Sequence, residues 1–338
     1  MRAGPRQAAS AGRKSMKVAV IGCGAIGGWL TAGLVRGGAE AVVLARGATL
    51  TALRAEGLLL DEGAGPQRVA ITVTEDPADL AGADLLVLGV KAHALPGLLP
   101  AIETAMGRET LVMPAVNGLP FWFLQDFGGP VEGMVLDAVD PGGALARAIP
   151  AERIVGNVVH AASRTPAPGQ VELVKANKLL LGQITPDGPT ARISALAEVF
   201  RKGGIPAEET GEIRREVWTK LWGNSNMNPL SALSRADTAA MLADPGVRAL
   251  TLSMMREMAD LGARISLPGF DDMEERIATT RKLGPIRTSM LQDVEAGRRL
   301  EIDPILGALV ELAGKLDMPV PAMAGVYGLT RLLDESLA

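Results

Sequence analysis

The chain has 338 residues, of which 48% are hydrophobic, 21% charged and 3% aromatic, and its net charge is −4. That length suits two domains around a well-buried core, and an acidic balance with few aromatics excludes a basic, aromatic-laced nucleic-acid surface. One cysteine, Cys23, and two histidines, His93 and His160, leave no disulfide framework, no zinc cluster and no G-x-S-x-G hydrolase elbow. They fit a reducing cytoplasm and point to lysine or a carboxylate as any proton donor.

Residues 1–15 are basic, small and aperiodic, which predicts a disordered extension with the fold starting at Met16. The uncharged run Val18–Val35 behind that tail has the outline of a signal peptide or membrane anchor. Gly22, Gly24, Gly27, Gly28 and Gly33 weaken a helix of that length, and no cleavage site accompanies it. A strand, a turn and a helix explain the run better. Lys17–Ile21 is a short apolar strand, Gly22-Cys23-Gly24-Ala25-Ile26-Gly27 spells G-x-G-x-x-G, and Gly28–Arg36 continues as a helix. The first glycine permits the turn, the second lets a pyrophosphate approach the backbone, and the third lets helix pack on strand. With 40 glycines the bare pattern arises by chance in roughly one such chain in two, so context has to carry it. The strand before, the helix after and a second strand at Ala41–Leu44 supply that context. Phosphates then face the helix N-terminus, and Cys23 is a small filler.

An NAD site places Asp or Glu at the end of the second strand. Here the residues are Ala45-Arg46-Gly47, and Glu40 lies at the strand's other end. Arg46 suits a 2′-phosphate, which predicts NADP(H); the plain alternative is an exposed surface arginine. Two more apolar strands, Asp84–Val90 and Leu111–Val116, run into Lys91-Ala92-His93 and Asn117-Gly118. Ligands of an open parallel sheet bind beyond the carboxyl ends of its strands, so Lys91 and Asn117 fall on the cofactor side. Asn117-Gly118 also reads as a plain turn, and His93 as incidental. Further strands are predicted around Gly133–Ala138, Arg153–Ala162, Gln170–Val174 and Leu179–Leu181, then a linker at Thr185–Pro189 and a helix at Thr190–Lys202. Phe121, Trp122 and Phe123 belong to packing.

From Gly211 the strand signals vanish. Helices are predicted over Glu212–Asn228, Val247–Ala263, Asp271–Lys282, Pro285–Ala296, Pro304–Leu316 and Ala322–Glu335. The fold class is therefore α/β: a Rossmann-type dinucleotide-binding domain (16–208), then an all-helical substrate domain (209–338), with the substrate in the cleft. In the first helix Ile213, Val217 and Leu221 form an apolar stripe. Glu216, Lys220, Asn224 and Asn228 form a second stripe spaced i, i+4, i+8, and Pro229 predicts the helix end. Asparagines disfavour a helix, so this face reads as a site: a cation able to donate a proton, with two amides to orient a hydroxylated substrate. The bland alternative is a solvated face with a frayed last turn.

These residues resemble the ketopantoate reductases (2-dehydropantoate 2-reductases), from Met16 to the C-terminus. The resemblance rests on GCGAIGG, VKAH (Val90–His93), VNG (Val116–Gly118), WTKLWGNSNMNPL (Trp218–Leu230) and SMLQDVEAGRRLEID (Ser289–Asp303). It implies NADPH-dependent reduction of 2-dehydropantoate to (R)-pantoate, on the route to pantothenate and coenzyme A. It also implies Lys220 as proton donor to the carbonyl oxygen, Asn224 and Asn228 as substrate-orienting amides, and Ser289 as a substrate carboxylate contact. Lys91 and Asn117 then sit near the nicotinamide, Glu301 contacts the cofactor on its nicotinamide side, and Arg46 holds the 2′-phosphate. Thr238 departs from an asparagine found in some members, and a long Asp137–Pro150 segment and the bulky NGLPFWF loop are expected to reshape the pocket. Two other readings stand beside this one: a related NADP(H)-dependent 2-hydroxyacid dehydrogenase or 2-oxoacid reductase, and a non-enzymatic nucleotide-binding sensor. The partner is a small-molecule 2-oxoacid, with neither nucleic acid nor membrane, and assembly as a homodimer is left open.

Overall fold

A computed structural model describes residues 15–270, 272–282 and 284–337. The predicted extension thus lies outside the described residues, apart from Ser15. In chain order the strands are β1 (Lys17–Ile21), β2 (Glu40–Leu44), β3 (Leu58–Asp61), β4 (Pro66–Val69), β5 (Thr72–Thr74), β6 (Leu85–Leu88), β7 (Leu111–Pro114), β8 (Val155–Arg164), β9 (Gln170–Gln183) and β10 (Ala207–Glu209). The helices are α1 (Ala25–Arg36), α2 (Gly47–Glu56), α3 (Leu99–Ala105), α4 (Ala144–Ala148), α5 (Thr190–Lys202), α6 (Ile213–Ser234), α7 (Thr238–Ala243), α8 (Pro245–Arg264), α9 (Met273–Lys282), α10 (Ser289–Glu295), α11 (Ala308–Lys315) and α12 (Pro321–Glu335).

The first sheet is wholly parallel, in the order β5-β2-β1-β6-β7. Every residue of β6 and β7 is buried, as are all but the first of β1. That is why their sequences are unbroken apolar runs rather than alternating ones. The run Val18–Val35 belongs to this unit as β1, a turn and α1. Among the described residues no helix is long and apolar enough to cross a membrane.

The second sheet was only partly foreseen. Its order is β10-β9-β3-β4 with β8 antiparallel on β9. The two predicted segments around Gln170–Val174 and Leu179–Leu181 are one long strand, and β3, β4, β5 and β10 were not anticipated. The strand predicted around Gly133–Ala138 does not form. Gly128, Gly129 and Gly133 take positive φ there, so the chain turns repeatedly. Leu136 and Val139 reach the core from those turns, and the Asp140 carboxylate accepts from Leu145 N and Ala146 N at the start of α4.

The helical half is built around α6. Ile213, Val217, Leu221 and Trp218 are all buried on one side. Trp222 Nε1 donates to Met255 O on α8 (3.0 Å), and the Arg214 guanidinium donates to the carbonyls of Phe123, Ile184 and Gln125, fixing α6 to the α/β half. Contrary to the sequence reading, α6 continues through Pro229 to Ser234. A proline inside a helix costs about 3 kcal/mol, but every residue from Ser225 to Ala232 is buried. Tertiary packing of that kind outweighs local propensity. The helix ends instead where Arg235 takes a left-handed conformation, with Ser231 Oγ donating to Ala236 O (2.6 Å).

Candidate active site

The turn between β1 and α1 is shaped by missing side chains. Gly22 has φ +96°, and a β-carbon there would lie 2.8 Å from the Gly89 carbonyl carbon. A β-carbon on Gly27 would overlap Gly22 O, so the third glycine of the motif is what lets α1 lie against the turn. At Gly24, by contrast, nothing stands within 4 Å of that position, and no side chain caps α1. Ala25 and Ile26 open the helix, leaving backbone donors facing open space. This is the cradle a dinucleotide pyrophosphate needs. Cys23 is buried, and burial pushes its thiol up to about 12, far from the range of a reactive cysteine. Arg46 precedes α2 at the carboxyl end of β2, exposed and, among the described residues, without an ion pair.

Beyond the strand ends lies an open cleft of about 880 Å³ between the two halves. Ile26, Asn117, Lys220, Asn224, Asn228, Ser289 and Glu301 all line it, so most of the residues singled out from sequence converge there. Lys220 Nζ donates to Val159 O on β8 at 2.9 Å. Among the described residues it has no acidic partner; Glu216, one turn earlier, does not reach it. Burial pushes the Lys220 ammonium down to about 8, with Glu301 acting weakly the other way. Asn224 Nδ2 donates to Asn117 Oδ1 at 3.4 Å, joining residues 107 positions apart. Asn228 is buried, and Ser289 is exposed at the cleft's edge.

Lys91 stands elsewhere. It is absent from the cleft lining, and its ammonium donates to Asp293 Oδ2 (2.9 Å) and Arg299 O (3.0 Å). It is thus a tether between the strand ends and the helical half. Glu301 Oε1 accepts from Ala92 N (3.4 Å), and burial raises the Glu301 carboxyl above its ordinary value, opposed by Lys91. Leu119 N donates to Pro304 O (2.7 Å). Gly118 has φ +85°, and a β-carbon on it would lie 2.8 Å from Pro304 Cβ. These contacts join the ends of the strands to the helical half.

Neither Asp137–Pro150 nor the three aromatics Phe121, Trp122 and Phe123 line the cleft; the aromatics are buried in the core. Thr238 does line it, but its hydroxyl is committed to Gly284 O and Ile286 N, both at 3.0 Å. Among the lining residues that the sequence does not single out as parts of a site are His160 and Arg276. Burial, then Lys220, Lys178 and Arg276, push His160 down to about 4, so its imidazole is neutral. The sequence marks only the other side of the Arg276 contact, a glycine, Gly223, in the middle of a strongly helical stretch.

The family model described as "Ketopantoate reductase PanE/ApbA" matches residues 18–121, and that described as "Ketopantoate reductase PanE/ApbA C terminal" matches residues 212–334. A 2-dehydropantoate 2-reductase of Mesorhizobium japonicum is 39% identical over 320 residues, 94% of this chain and 98% of the relative. The crystal structure of a putative ketopantoate reductase from Ralstonia solanacearum superposes with a TM-score of 0.90 at 39% identity, covering 95% of this chain and 98% of the other. A D-mandelate dehydrogenase in ternary complex with NADH and anilino(oxo)acetate shares the fold, with a TM-score of 0.81 at 22% identity over 95% of this chain and 99% of its own. With both halves matched and the closer relatives covered end to end, the chain belongs to the ketopantoate reductase family of oxidoreductases.

Proposed function

We propose that this protein reduces 2-dehydropantoate to (R)-pantoate with NADPH, with Lys220 as the general acid. The observation that carries the reading is the Lys220 ammonium itself. It faces the cleft without an acidic partner among the described residues, beside the Asn117–Asn224 pair, and burial brings it to about 8. A bound NADPH would supply the hydride that goes to the substrate's carbonyl carbon. As that happens, negative charge grows on the carbonyl oxygen, and Lys220 offers both a cation and a proton there. The carboxamides of Asn117, Asn224 and Asn228 hydrogen-bond without losing a proton, so they orient. Ser289 at the cleft's edge is assigned a substrate carboxylate contact, Glu301 the nicotinamide side, and Gly22–Gly27 with Arg46 the pyrophosphate and 2′-phosphate. The open cleft then lets solvent return a proton to the neutral lysine. A nucleotide-binding sensor has no use for such a group.

The test is NADPH consumption by the purified protein with a panel of 2-oxoacids that includes 2-dehydropantoate. The reading expects the highest kcat/KM with 2-dehydropantoate and NADPH. A higher value with another 2-oxoacid moves the assignment to a related reductase, and no turnover with any of them sinks it.

A further inference from the structure

Arg276 lies on α9, one turn before Thr280, and both side chains reach the cleft. Its guanidinium is laid against the backbone of α6 at Gly223. A β-carbon on that glycine would lie 3.3 Å from Arg276 Cζ and 3.4 Å from Nε, and would overlap Nη2. A helix-weakening residue in the middle of the central helix therefore has a local reason: it is the seat of the guanidinium. Nε is buried with no hydrogen-bond partner. Among the described residues no carboxylate pairs with this arginine. Of the acids close to it, Glu274 on the same helix pairs with Arg248, and Glu295, which also lines the cleft, pairs with Arg287. Burial lowers the Arg276 pKa and no acid opposes it, yet a guanidinium stays charged. A partly buried charge without a partner is unfavourable until an anion reaches it.

We infer that Arg276, seated over Gly223, is the specificity residue that pairs with the substrate's carboxylate. A guanidinium meets a carboxylate through two parallel charge-assisted hydrogen bonds. Gly223 falls between Lys220 and Asn224 in α6, so an acid held there brings its 2-oxo group, one bond from the carboxylate, to the side of Lys220. The neutral His160 lies in the same neighbourhood and adds no competing charge. Ser289 can share the anion, because a carboxylate has more acceptor sites than one guanidinium fills. The inference rests on the proposed reduction of a 2-oxoacid.

The experiment compares wild type, R276Q and R276K with 3-methyl-2-oxobutanoate and with its neutral amide, NADPH being present. Wild type should prefer the acid. R276Q should lose about 10²-fold in kcat/KM for the acid, mainly through KM, with the amide little affected and the NADPH Kd unchanged; R276K should recover part of the loss. An acid-over-amide preference in R276Q equal to that of wild type overturns the assignment. G223A displaces the guanidinium without deleting it, and an unchanged preference there overturns it equally should R276Q fail to fold. Calorimetric titration of the NADPH-loaded protein with oxamate and oxamide separates the two readings. If no 2-oxoacid is turned over but R276Q abolishes oxamate binding, the carboxylate site stands and the proposed reduction falls. If wild type binds oxamate no more tightly than oxamide, the carboxylate site falls.

Discussion

Gly22 and Gly27 shape one wall, the proposed dinucleotide side behind Ile26, by lacking side chains, whereas Lys220 and Arg276 shape the helical side of the cleft by holding charged ones without acidic partners among the described residues. The first wall works through backbone donors and close approach, so adding an atom harms it. The second works through charge, so removing an atom harms it. Both walls are framed by buried apolar packing, and what differs is where the sequence spends its polar groups.

Deleting a charge from the helical wall is the sharpest way to break that contrast. Lys220→Ala should lower kcat by about 10²–10⁴, while a fluorescence titration finds NADPH binding nearly unchanged. Near-normal kcat would reduce Lys220 to a structural lysine. The pH profile sharpens the same point. As the proposed acid, Lys220 would act protonated, and burial brings it to about 8, so wild-type kcat/KM should fall as pH rises through about 8, and the residual activity of Lys220→Ala should lack that limb. For stability the sign reverses. A folded-state value below the ordinary 10.5 means that the unfolded chain binds the extra proton between those pH values. Wild type should therefore gain stability relative to Lys220→Ala as pH rises from 8 toward 10.5, which thermal melts at the two ends will show.

On the opposite wall Arg46 is the exception, a side chain where backbone otherwise rules. Arg46→Ala should weaken NADPH by about 10–150-fold, the loss of charge-assisted hydrogen bonds, and leave NADH almost untouched; equal shifts in the two KM values would remove it from the 2′-phosphate site. The glycines give the smallest and most local test. Gly27→Ala places a methyl on Gly22 O and should cost about 1–3 kcal/mol of stability as well as NADPH affinity. Gly24→Ala meets nothing within 4 Å, so its Tm should hold while NADPH binding weakens. If both variants kept full affinity, the cradle assignment would fail.

The dinucleotide wall was legible in the sequence because its rule is local: glycines at fixed spacing, a strand before them and a helix after. The Lys220–Asn224–Asn228 face was legible for a similar reason, since helical periodicity alone puts those residues on one side. Pro229 misled because propensity is also local, and the packing that carries α6 past it comes from helices far away in the chain. Gly133–Ala138 misled because apolar residues bury from turns as well as from strands. Lys91 was placed at the right strand end, but nothing nearby in sequence announces Asp293 as its partner. Arg276 is one of 34 basic residues and becomes distinctive only against Gly223, a pairing that needs two helices in place.

The contacts that join the strand ends to the helical half also set a timetable. Lys91 is synthesised 202 residues before Asp293, and Ala92 and Leu119 likewise wait for Glu301 and Pro304. At ribosomal speeds of about 5–20 residues per second, Lys91 spends about 10–40 s without its partner. The glycine turn is made before that interval opens, and Lys220 is made within it. A chain that stops short of Asp293 therefore carries Lys220 and the glycine turn without the contacts that join the two halves, and those contacts wait for about the last seventh of the sequence.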